Sequence, residues 1–417
     1  MDTEEKSTKD KIIDAAFSLF EVNAFTKFSL SKIAKKVGIS KAAIYRHFAS
    51  KEELLNSMKE IVYEKLYSFF KEVSAVTLNE NLKEIIKTVV RYMVDYGNYM
   101  NFYIRNTIDF SQDDLIQNMR KNEECIFDSF IDKDGNILKI DFYFKNLFII
   151  GALLIFVNSF LKSESSGESG GKGKTEAEKE KFIENLSDFM INGIGERHTL
   201  SADRMNEIDE ICRKSLENFD EPDRVVLALS SAVRKNGFFN TTVESIANEL
   251  GMAKSSLYSW FDNLGQLKLK IIEGEFESIF KTFVANYVLF EAEDERLYAL
   301  LSTEFSYFIK RREVLDLCIW VQFQDPPDLK AADVKFKNAK QFKKLINEIP
   351  LFKKNGSMDF MDDDSYTSMI FIIFIPLFIL LHGRLHEFKD EVLYEALKNI
   401  FYMILGGVDY ETLSENR

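Results

Sequence analysis

The sequence contains an internal repeat that constrains the fold more than any other feature. When the chain is shifted by 213 residues, positions 12–54 lie over positions 225–267 without a gap. The identical pairs include Ala15/Ala228, Asn23/Asn236, Phe25/Phe238, Ile33/Ile246, Ala34/Ala247, Gly38/Gly251, Lys41/Lys254, Tyr45/Tyr258, Phe48/Phe261 and Leu54/Leu267. Because core and turn positions recur together, the sequence predicts two copies of one structural unit in a single chain.

The long segments of the chain have helical periodicity. Within Ile12–Phe20 the apolar residues recur at i, i+1, i+4, i+5 and i+8, which places them on one face of a helix. Only 5 prolines occur among 417 residues, and no alternating strand pattern is bounded by turn dipeptides. The sequence therefore predicts an all-α protein, and its length requires more than one compact domain.

The window 29–48, SLSKIAKKVGISKAAIYRHF, has the residue order of a helix-turn-helix. Ser29 and Ser40 are each placed to cap the start of a helix. Gly38 ends the first helix, because glycine adopts the left-handed conformation at low cost. The second helix is predicted over Lys41–Phe48, and the glycine turn between two short helices defines the motif.

The same window is basic, although the chain has a formal net charge of −13. Residues 24–51 contain six lysines, one arginine and no acidic residue. Lys41 and Arg46 on the second helix are suited to guanine edges or phosphates, and Tyr45 to a phosphate oxygen. A basic face of this kind predicts double-stranded DNA as a partner. The alternative is a solvated basic face on a helix-turn-helix that serves only for packing.

These motifs resemble the TetR (tetracycline-repressor-like) family of transcriptional regulators. The resemblance is carried by IIDAAFSLF, Phe25 and SLSKIAKKVGISKAAIYRHFASKEEL, with Ala24 in place of the usual glycine and Ser29 in place of threonine. In that family the matching positions contact phosphate, which here implies Ser29, Tyr45, His47 and Lys51. Together with the charge argument, the predicted DNA-binding residues are Ser29, Lys32, Ser40, Lys41, Ala42, Tyr45, Arg46, His47 and Lys51.

The second window, TVESIANELGMAKSSLYSWF over 242–261, keeps the core residues and loses the positive charge. Residues 237–264 sum to −2. Each lost cation removes a phosphate contact, and each added carboxylate repels DNA. The residues that remain suited to a groove are Thr242, Lys254, Ser255 and Tyr258. The sequence predicts a strongly weakened second DNA-binding copy, and a copy that no longer binds DNA is the alternative.

The resemblance and the repeat together imply two tandem TetR-like helical units, each with a helix-turn-helix followed by a helical ligand-binding and dimerisation domain. The predicted domains are the first helix-turn-helix at 1–54, the first regulatory domain at 55–197, the second, degenerate helix-turn-helix at 205–267 and the second regulatory domain at 268–417. The stretch 195–204 is the expected junction between the halves. Family dimers pair their last two long helices, here 141–162 with 176–194 and 366–385 with 389–405. An intramolecular pseudo-dimer is therefore expected, and a homodimer is the alternative.

Two apolar runs, 142–161 and 369–381, raise the question of a membrane span. Polar residues interrupt the first run, and the second has 13 residues and contains Pro376, whereas a span needs about 20 apolar residues. Burial within a helical bundle explains both runs. The charged start MDTEEKSTKD does not resemble a signal peptide, and three scattered cysteines favour a reducing compartment. The expected location is the cytoplasm, without a membrane partner.

An aromatic stripe is the candidate for a small-molecule site. Tyr92, Tyr96, Tyr99 and Tyr103 lie at i, i+4, i+7 and i+11, and the resemblance implies an unidentified effector bound between the middle helices. Core packing is the alternative explanation of such a stripe.

Two further patterns are weak signals for chemistry. His382 and His386 have the spacing of a helical metal pair, but Gly383 replaces the protease glutamate, and partly exposed residues near a helix end are the better interpretation. The stretch 163–175 ends in Gly-Lys-Thr, yet Glu168 occupies the first glycine position of a phosphate loop; a flexible connector is expected. No catalytic constellation appears, so no enzyme, cofactor or metal is expected. The predicted function is a TetR-like regulator, a repressor released by its effector, and the alternative is a non-DNA-binding sensor or protein-interaction module.

Overall fold

The computed structural model describes 17 helices and no strand within residues 7–22, 30–77, 82–106, 139–162, 174–194, 200–219, 221–237, 241–258, 264–324, 366–385 and 387–408. Six helices precede residue 107: α1 (Thr8–Val22), α2 (Leu30–Val37), α3 (Lys41–Ile44), α4 (Lys51–Thr77), α5 (Leu82–Asp95) and α6 (Gly97–Asn106). Eleven follow: α7 (Ile140–Lys162), α8 (Glu176–Asn192), α9 (Ala202–Ser215), α10 (Arg224–Asn236), α11 (Val243–Leu250), α12 (Lys254–Tyr258), α13 (Leu264–Tyr287), α14 (Glu293–Lys310), α15 (Arg312–Gln324), α16 (Tyr366–Leu385) and α17 (Asp390–Gly406). The predicted all-α fold is confirmed.

The first compact unit is built from α1 to α6. Helix α1 packs on α2, α4 and α6, and α4 packs on α5 and α6. Ile12 and Phe17 from α1 share one buried cluster with Ile33, Ile44 and Phe48 of the helix-turn-helix. Full burial of one such side chain contributes about 1.5–3 kcal/mol relative to exposure. A single core therefore holds the short helices α2 and α3, which are too short to be stable alone.

The second unit, from α7 onward, repeats the order of the first helices. Helices α11, α12 and α13 begin at Val243, Lys254 and Leu264, each 213 residues after the start of α2, α3 and α4. Helix α11 packs on α10 and α12. The sequence offset of the repeat is therefore also the offset of these helix starts.

Helix α9 lies ahead of this second set and packs on α13 and α14. It begins at Ala202, inside the stretch predicted as the junction, and Ser201 caps it by accepting a hydrogen bond from the Arg204 amide. Asp209 on α9 is buried and accepts hydrogen bonds from the Tyr298 hydroxyl at 3.0 Å and the Ser302 hydroxyl at 2.6 Å. Burial raises the pKa of Asp209 to about 6, although both hydrogen bonds act in the opposite direction.

The two apolar runs lie in helices α7 and α16, which pack on each other and on α17, and α17 also packs on α8. Phe156 of α7 and Phe189 of α8 meet edge to face at 5.6 Å. Within the described residues, no helix has the length and apolar character needed to cross a membrane. His382 at the end of α16 is 1% exposed, and its Nδ1 lies 2.7 Å from the Tyr143 hydroxyl of α7. The expected partial exposure of His382 was wrong, because α7 covers this end of α16.

Helices α8 and α17 end at two glycines that touch each other. Gly193 has φ 61° and Gly407 has φ 84°. The amide of Ile194 donates to the Ile404 carbonyl at 3.0 Å, and the amide of Val408 donates to the Met190 carbonyl at 2.9 Å. A Cβ at Gly193 would lie 2.6 Å from the Gly407 nitrogen. The two helix ends are therefore joined by a reciprocal pair of backbone hydrogen bonds at a distance that only glycine permits.

Candidate nucleic-acid interface

The turn between α2 and α3 has the predicted glycine geometry. Gly38 has φ 78°, and a Cβ there would meet no heavy atom within 4 Å, so backbone conformation rather than packing favours glycine. The Ile39 amide donates to the Ala34 carbonyl at 3.0 Å, which closes the end of α2. Ser40 caps α3 by accepting a hydrogen bond from the Ala43 amide at 3.1 Å, as predicted from the sequence.

The second helix of the motif is shorter than predicted. Regular helix ends at Ile44, and the chain continues as turns in which the Arg46 amide donates to Ala43 at 3.2 Å and the His47 amide to Ile44 at 2.9 Å. These bonds span three residues, as in a 3₁₀ turn. The sequence pattern over 41–48 does not distinguish this tighter winding from an α-helix, because both bury residues 44 and 48.

The outer face of α3 and its following turn is exposed. Ile44 and Phe48 are at most 1% exposed and anchor the segment in the core, whereas Tyr45 is 48% exposed. Lys41, Ala42 and Arg46 are also exposed, and His47 is half-buried. The Lys41 ammonium lies 6.0 Å from the centre of the Tyr45 ring. The residues predicted to approach DNA thus share the side of the motif that the core leaves open.

Further cations border this face. Lys32, Lys35 and Lys36 are exposed on α2. Lys51 starts α4 and is half-buried, which lowers the pKa of its ammonium group. Within the described part of the chain, no carboxylate forms a salt bridge with Lys35, Lys36, Lys41 or Arg46. These four positive charges are therefore available to a polyanion.

Not every predicted DNA-binding residue is described. Ser29 lies outside the described residues, so its capping and phosphate contacts stay predictions. The roles of the eight described residues, from Lys32 to Lys51, also stay predictions, although their placement is compatible with them.

The second copy repeats the backbone of the first. Gly251 has φ 67° with no heavy atom within 4 Å of a Cβ, and the Met252 amide donates to the Ala247 carbonyl at 3.0 Å, as in the first copy. Thr242 caps α11 by accepting a hydrogen bond from the Ser245 amide at 3.2 Å. Tyr258 is 45% exposed, and Lys254 and Ser255 are exposed as well. The shape of the motif is therefore retained.

The electrostatics of the second copy differ from those of the first. The Lys254 ammonium lies 3.8 Å from the Glu244 carboxylate. Lys235 forms an ion pair of 2.7 Å with Glu249, which also accepts a hydrogen bond from Ser231 at 2.7 Å. The hydrogen bond from Lys235 lowers the pKa of Glu249. Both lysines thus have a carboxylate partner within the protein, and Glu249 occupies the repeat position of Lys36 in the first copy.

A buried carboxylate that sequence reasoning missed anchors α10, the helix that precedes the second helix-turn-helix. Asp316 on α15 is 2% exposed, accepts a hydrogen bond of 2.7 Å from Ser230 on α10 and is paired with Arg384 on α16. The Arg234 guanidinium lies 3.8 Å away. Asp316 thus connects α10 to α15 and α16. No sequence signal marks it, because its partners are far away along the chain.

The tyrosine stripe packs against α4 and α1. Tyr92 stacks on Phe69 with ring centres 4.2 Å apart, and Tyr99 lies 4.3 Å from Phe17. The Lys65 ammonium lies 4.4 Å from the Tyr96 ring. The Tyr92 hydroxyl is buried without a hydrogen-bond partner among the described residues, and burial raises its pKa. The Tyr103 side chain lies outside the described residues, and the ligand-binding role of the stripe stays a prediction.

The predicted histidine pair is described only in part, because His386 lies outside the described residues. In the portion of the chain that the structure describes, no group of three or more His, Cys, Asp or Glu side chains is placed to hold a metal ion.

The comparisons with known proteins match a small part of the chain. Residues 12–58 match the family of bacterial regulatory proteins, tetR family. Nucleoid occlusion factor SlmA of Aliivibrio fischeri is 36% identical over 61 residues, 14% of this chain and 31% of that protein. HTH-type transcriptional regulator UidR of Escherichia coli K12 is 35% identical over 72 residues, 17% and 37% of the two chains. The chain thus spans about a third of the length of these relatives. Residues 12–58 therefore have the sequence of a tetR-type helix-turn-helix domain.

Proposed function

We propose that the protein is a DNA-binding transcriptional regulator, a repressor that a small-molecule effector releases from its operator. The uncompensated positive charge around the exposed face of α3 carries this proposal. Four cations there lack an internal carboxylate partner in the described part of the chain, and the surrounding domain is of the tetR type. In an acidic protein, such a surface is best explained by a polyanionic partner.

A DNA-binding experiment tests this proposal. The affinity for duplex DNA from beside the protein's own coding region is measured by fluorescence anisotropy at several salt concentrations. The slope of log K against log salt is negative, and each lost phosphate contact reduces its magnitude by about 1. The double variant Lys41→Ala/Arg46→Ala is therefore expected to bind more weakly with a slope smaller by about 2.

The second copy supplies the matched control. Lys254 occupies the position of Lys41 in the repeat, but Glu244 already pairs with it. Lys254→Ala is expected to leave both affinity and slope nearly unchanged. Equal losses in Lys254→Ala and the double variant would contradict the assignment of the first copy as the main DNA reader. No salt-dependent affinity for any duplex would favour the alternative, a sensor or interaction module without DNA binding.

We also propose that the chain is an intramolecular pseudo-dimer. Its domains are those predicted above, 1–54, 55–197, 205–267 and 268–417, and its interface is the bundle of α7, α8, α16 and α17. The exchanged hydrogen bonds of Ile194 with Ile404 and of Val408 with Met190 support this arrangement. A symmetric dimer interface pairs residues reciprocally in this way.

Light scattering tests the pseudo-dimer. A single chain has a mass of 48.4 kDa, and the expected result is this mass in a sample that binds DNA. A stable mass of twice that value, unchanged on dilution, would instead favour the homodimer.

A pseudo-dimer with one acidic copy is expected to protect the operator asymmetrically, since the acidic second copy makes fewer phosphate contacts.

A further inference from the structure

A lysine outside the helix-turn-helix lies beside the end of its second helical segment. Lys9 is in the first turn of α1 and is exposed. Its ammonium group lies 5.6 Å from the centre of the Phe48 ring, which is within the range of a cation–π interaction. Phe48 directly follows His47, a predicted phosphate contact. The positive charge of Lys9 is therefore held next to the turn that continues α3.

Lys9 is not neutralised within the part of the chain that the structure describes. No described carboxylate forms a salt bridge with it. The neighbouring acid, Asp10, bonds to Ser7 instead: the Ser7 hydroxyl donates to the Asp10 carboxylate at 2.6 Å, and the Asp10 amide donates to Ser7 Oγ at 3.2 Å. This pair caps the start of α1. Lys9 thus joins the four cations around α3 that lack a carboxylate partner among the described residues.

The second copy of the repeat lacks this cation. Lys9 corresponds to Pro222, which is buried. Helix α10 begins two residues after this position, at Arg224, whereas α1 begins one residue before Lys9. The second copy also has Ser259 in place of Arg46. The charge of Lys9 is therefore lost together with a cation of the predicted DNA-binding face.

A DNA phosphate is the ligand that fits this position. When a helix lies in the major groove, the segments around it meet the phosphate backbone on either side. Lysine is a compact point charge on a flexible stem, which suits a phosphate oxygen. We infer that Lys9 contacts a DNA phosphate, so that the DNA-binding face continues from α3 onto the first turn of α1. The inference rests on the proposed function, since it adds a contact to the same interface.

Salt-dependent DNA binding by single variants of the full chain tests this contact. Fluorescence anisotropy is measured with two duplexes, one from beside the coding region and one of unrelated sequence. One phosphate contact contributes about 0.9 to the magnitude of the salt slope, so its effect grows from nothing near 1 M salt to roughly eightfold near 0.1 M. Lys9→Gln is therefore expected to bind roughly eightfold more weakly near 0.1 M salt. The loss should be equal for both duplexes, because a phosphate contact carries no sequence information.

Two further variants are controls. Lys11→Gln removes the same charge from an exposed residue of α1 that projects about 200° away from Lys9 around the helix. Since salt screens a charge that is not in contact with the DNA, this variant should change the affinity by less than about twofold. Lys9→Arg keeps the positive charge and should retain the salt slope of the parent.

The outcomes separate the Lys9 contact from the proposed function. If the parent binds DNA with a negative salt slope but Lys9→Gln loses no more affinity than Lys11→Gln, the contact is rejected and the regulator stands. A loss confined to one of the two duplexes, or an equal loss in Lys9→Arg, would also reject a phosphate contact. Absence of duplex binding by the parent would reject both proposals.

Discussion

Substitution of Gly407 by alanine tests whether the crossing of α8 and α17 stabilises the bundle. Gly407 ends α17 with φ 84° and ψ −178°, a region nearly restricted to glycine. A Cβ at this position would overlap the backbone carbonyl of Ile191, which cannot turn aside as a flexible side chain can. The two helix ends must therefore separate to accommodate a methyl group.

The expected loss of stability in Gly407→Ala has two parts, a backbone cost and the loss of hydrogen bonds. Substitution of a second glycine, Gly237, measures the backbone cost alone. Gly237 ends α10 with φ 78° and ψ 164°, and a Cβ there would meet nothing within 4 Å. Gly237→Ala thus incurs only the backbone cost of about 1–3 kcal/mol. Gly407→Ala incurs a similar cost and also breaks two reciprocal hydrogen bonds worth about 1 kcal/mol each. We expect Gly407→Ala to lower the free energy of unfolding by about 2 kcal/mol more than Gly237→Ala.

Urea denaturation followed by circular dichroism gives the two free energies. Hydrogen exchange with mass spectrometry locates the effect, since the amides of Ile194 and Val408 are the donors across the crossing. Both amides should exchange faster in Gly407→Ala and at the parent rate in Gly237→Ala. Equal stability losses in the two variants, with unchanged exchange at these amides, would refute the reasoning.

Two further substitutions probe buried acids. The pKa of Asp209 is raised from 3.8 to about 6 in the folded protein, so folding favours the protonated carboxyl. The stability that the protonated carboxyl contributes is fully present below about pH 4 and is lost as the pH rises through 6. Relative to Asp209→Asn, the free energy of unfolding of the parent should fall by up to about 3 kcal/mol between pH 4 and 7, because each unit of pKa shift corresponds to about 1.4 kcal/mol. If urea denaturation gives the same difference between parent and variant at every pH, this expectation is contradicted. Asp316→Ala leaves the buried Ser230 hydroxyl and Arg384 without their shared acceptor and should lower the free energy of unfolding by about 1–3 kcal/mol. A loss below about 0.5 kcal/mol in urea denaturation would show that the acid does not hold α10.

The helix-turn-helix was predictable because its determinants are local. Ser40 bonds an amide three residues away, and the bond from Ile39 to Ala34 spans five residues. Glycine at positions 38 and 251 predicts a left-handed backbone, and both residues have positive φ. Charge is equally local, since the presence of lysine at 36 and glutamate at 249 is read from the sequence itself.

The shortened helix α3 shows the limit of such patterns. Ile44 and Phe48 are buried in either an α-helix or a tighter turn, so the pattern of apolar residues does not choose between them. His382 shows another limit: its position near a helix end suggested exposure, but Tyr143, 239 residues earlier in the chain, covers it.

By itself the sequence determined the repeat, the all-α class, both glycine turns and the loss of positive charge in the second copy, because each depends on residue identity within a few positions. Only the tertiary structure decided that Gly193 meets Gly407, that Asp316 binds Ser230 and that Glu304 is buried. These features depend on which distant helices come into contact. A carboxylate or a glycine has the same sequence signature on a surface as in a core, and only packing distinguishes the two.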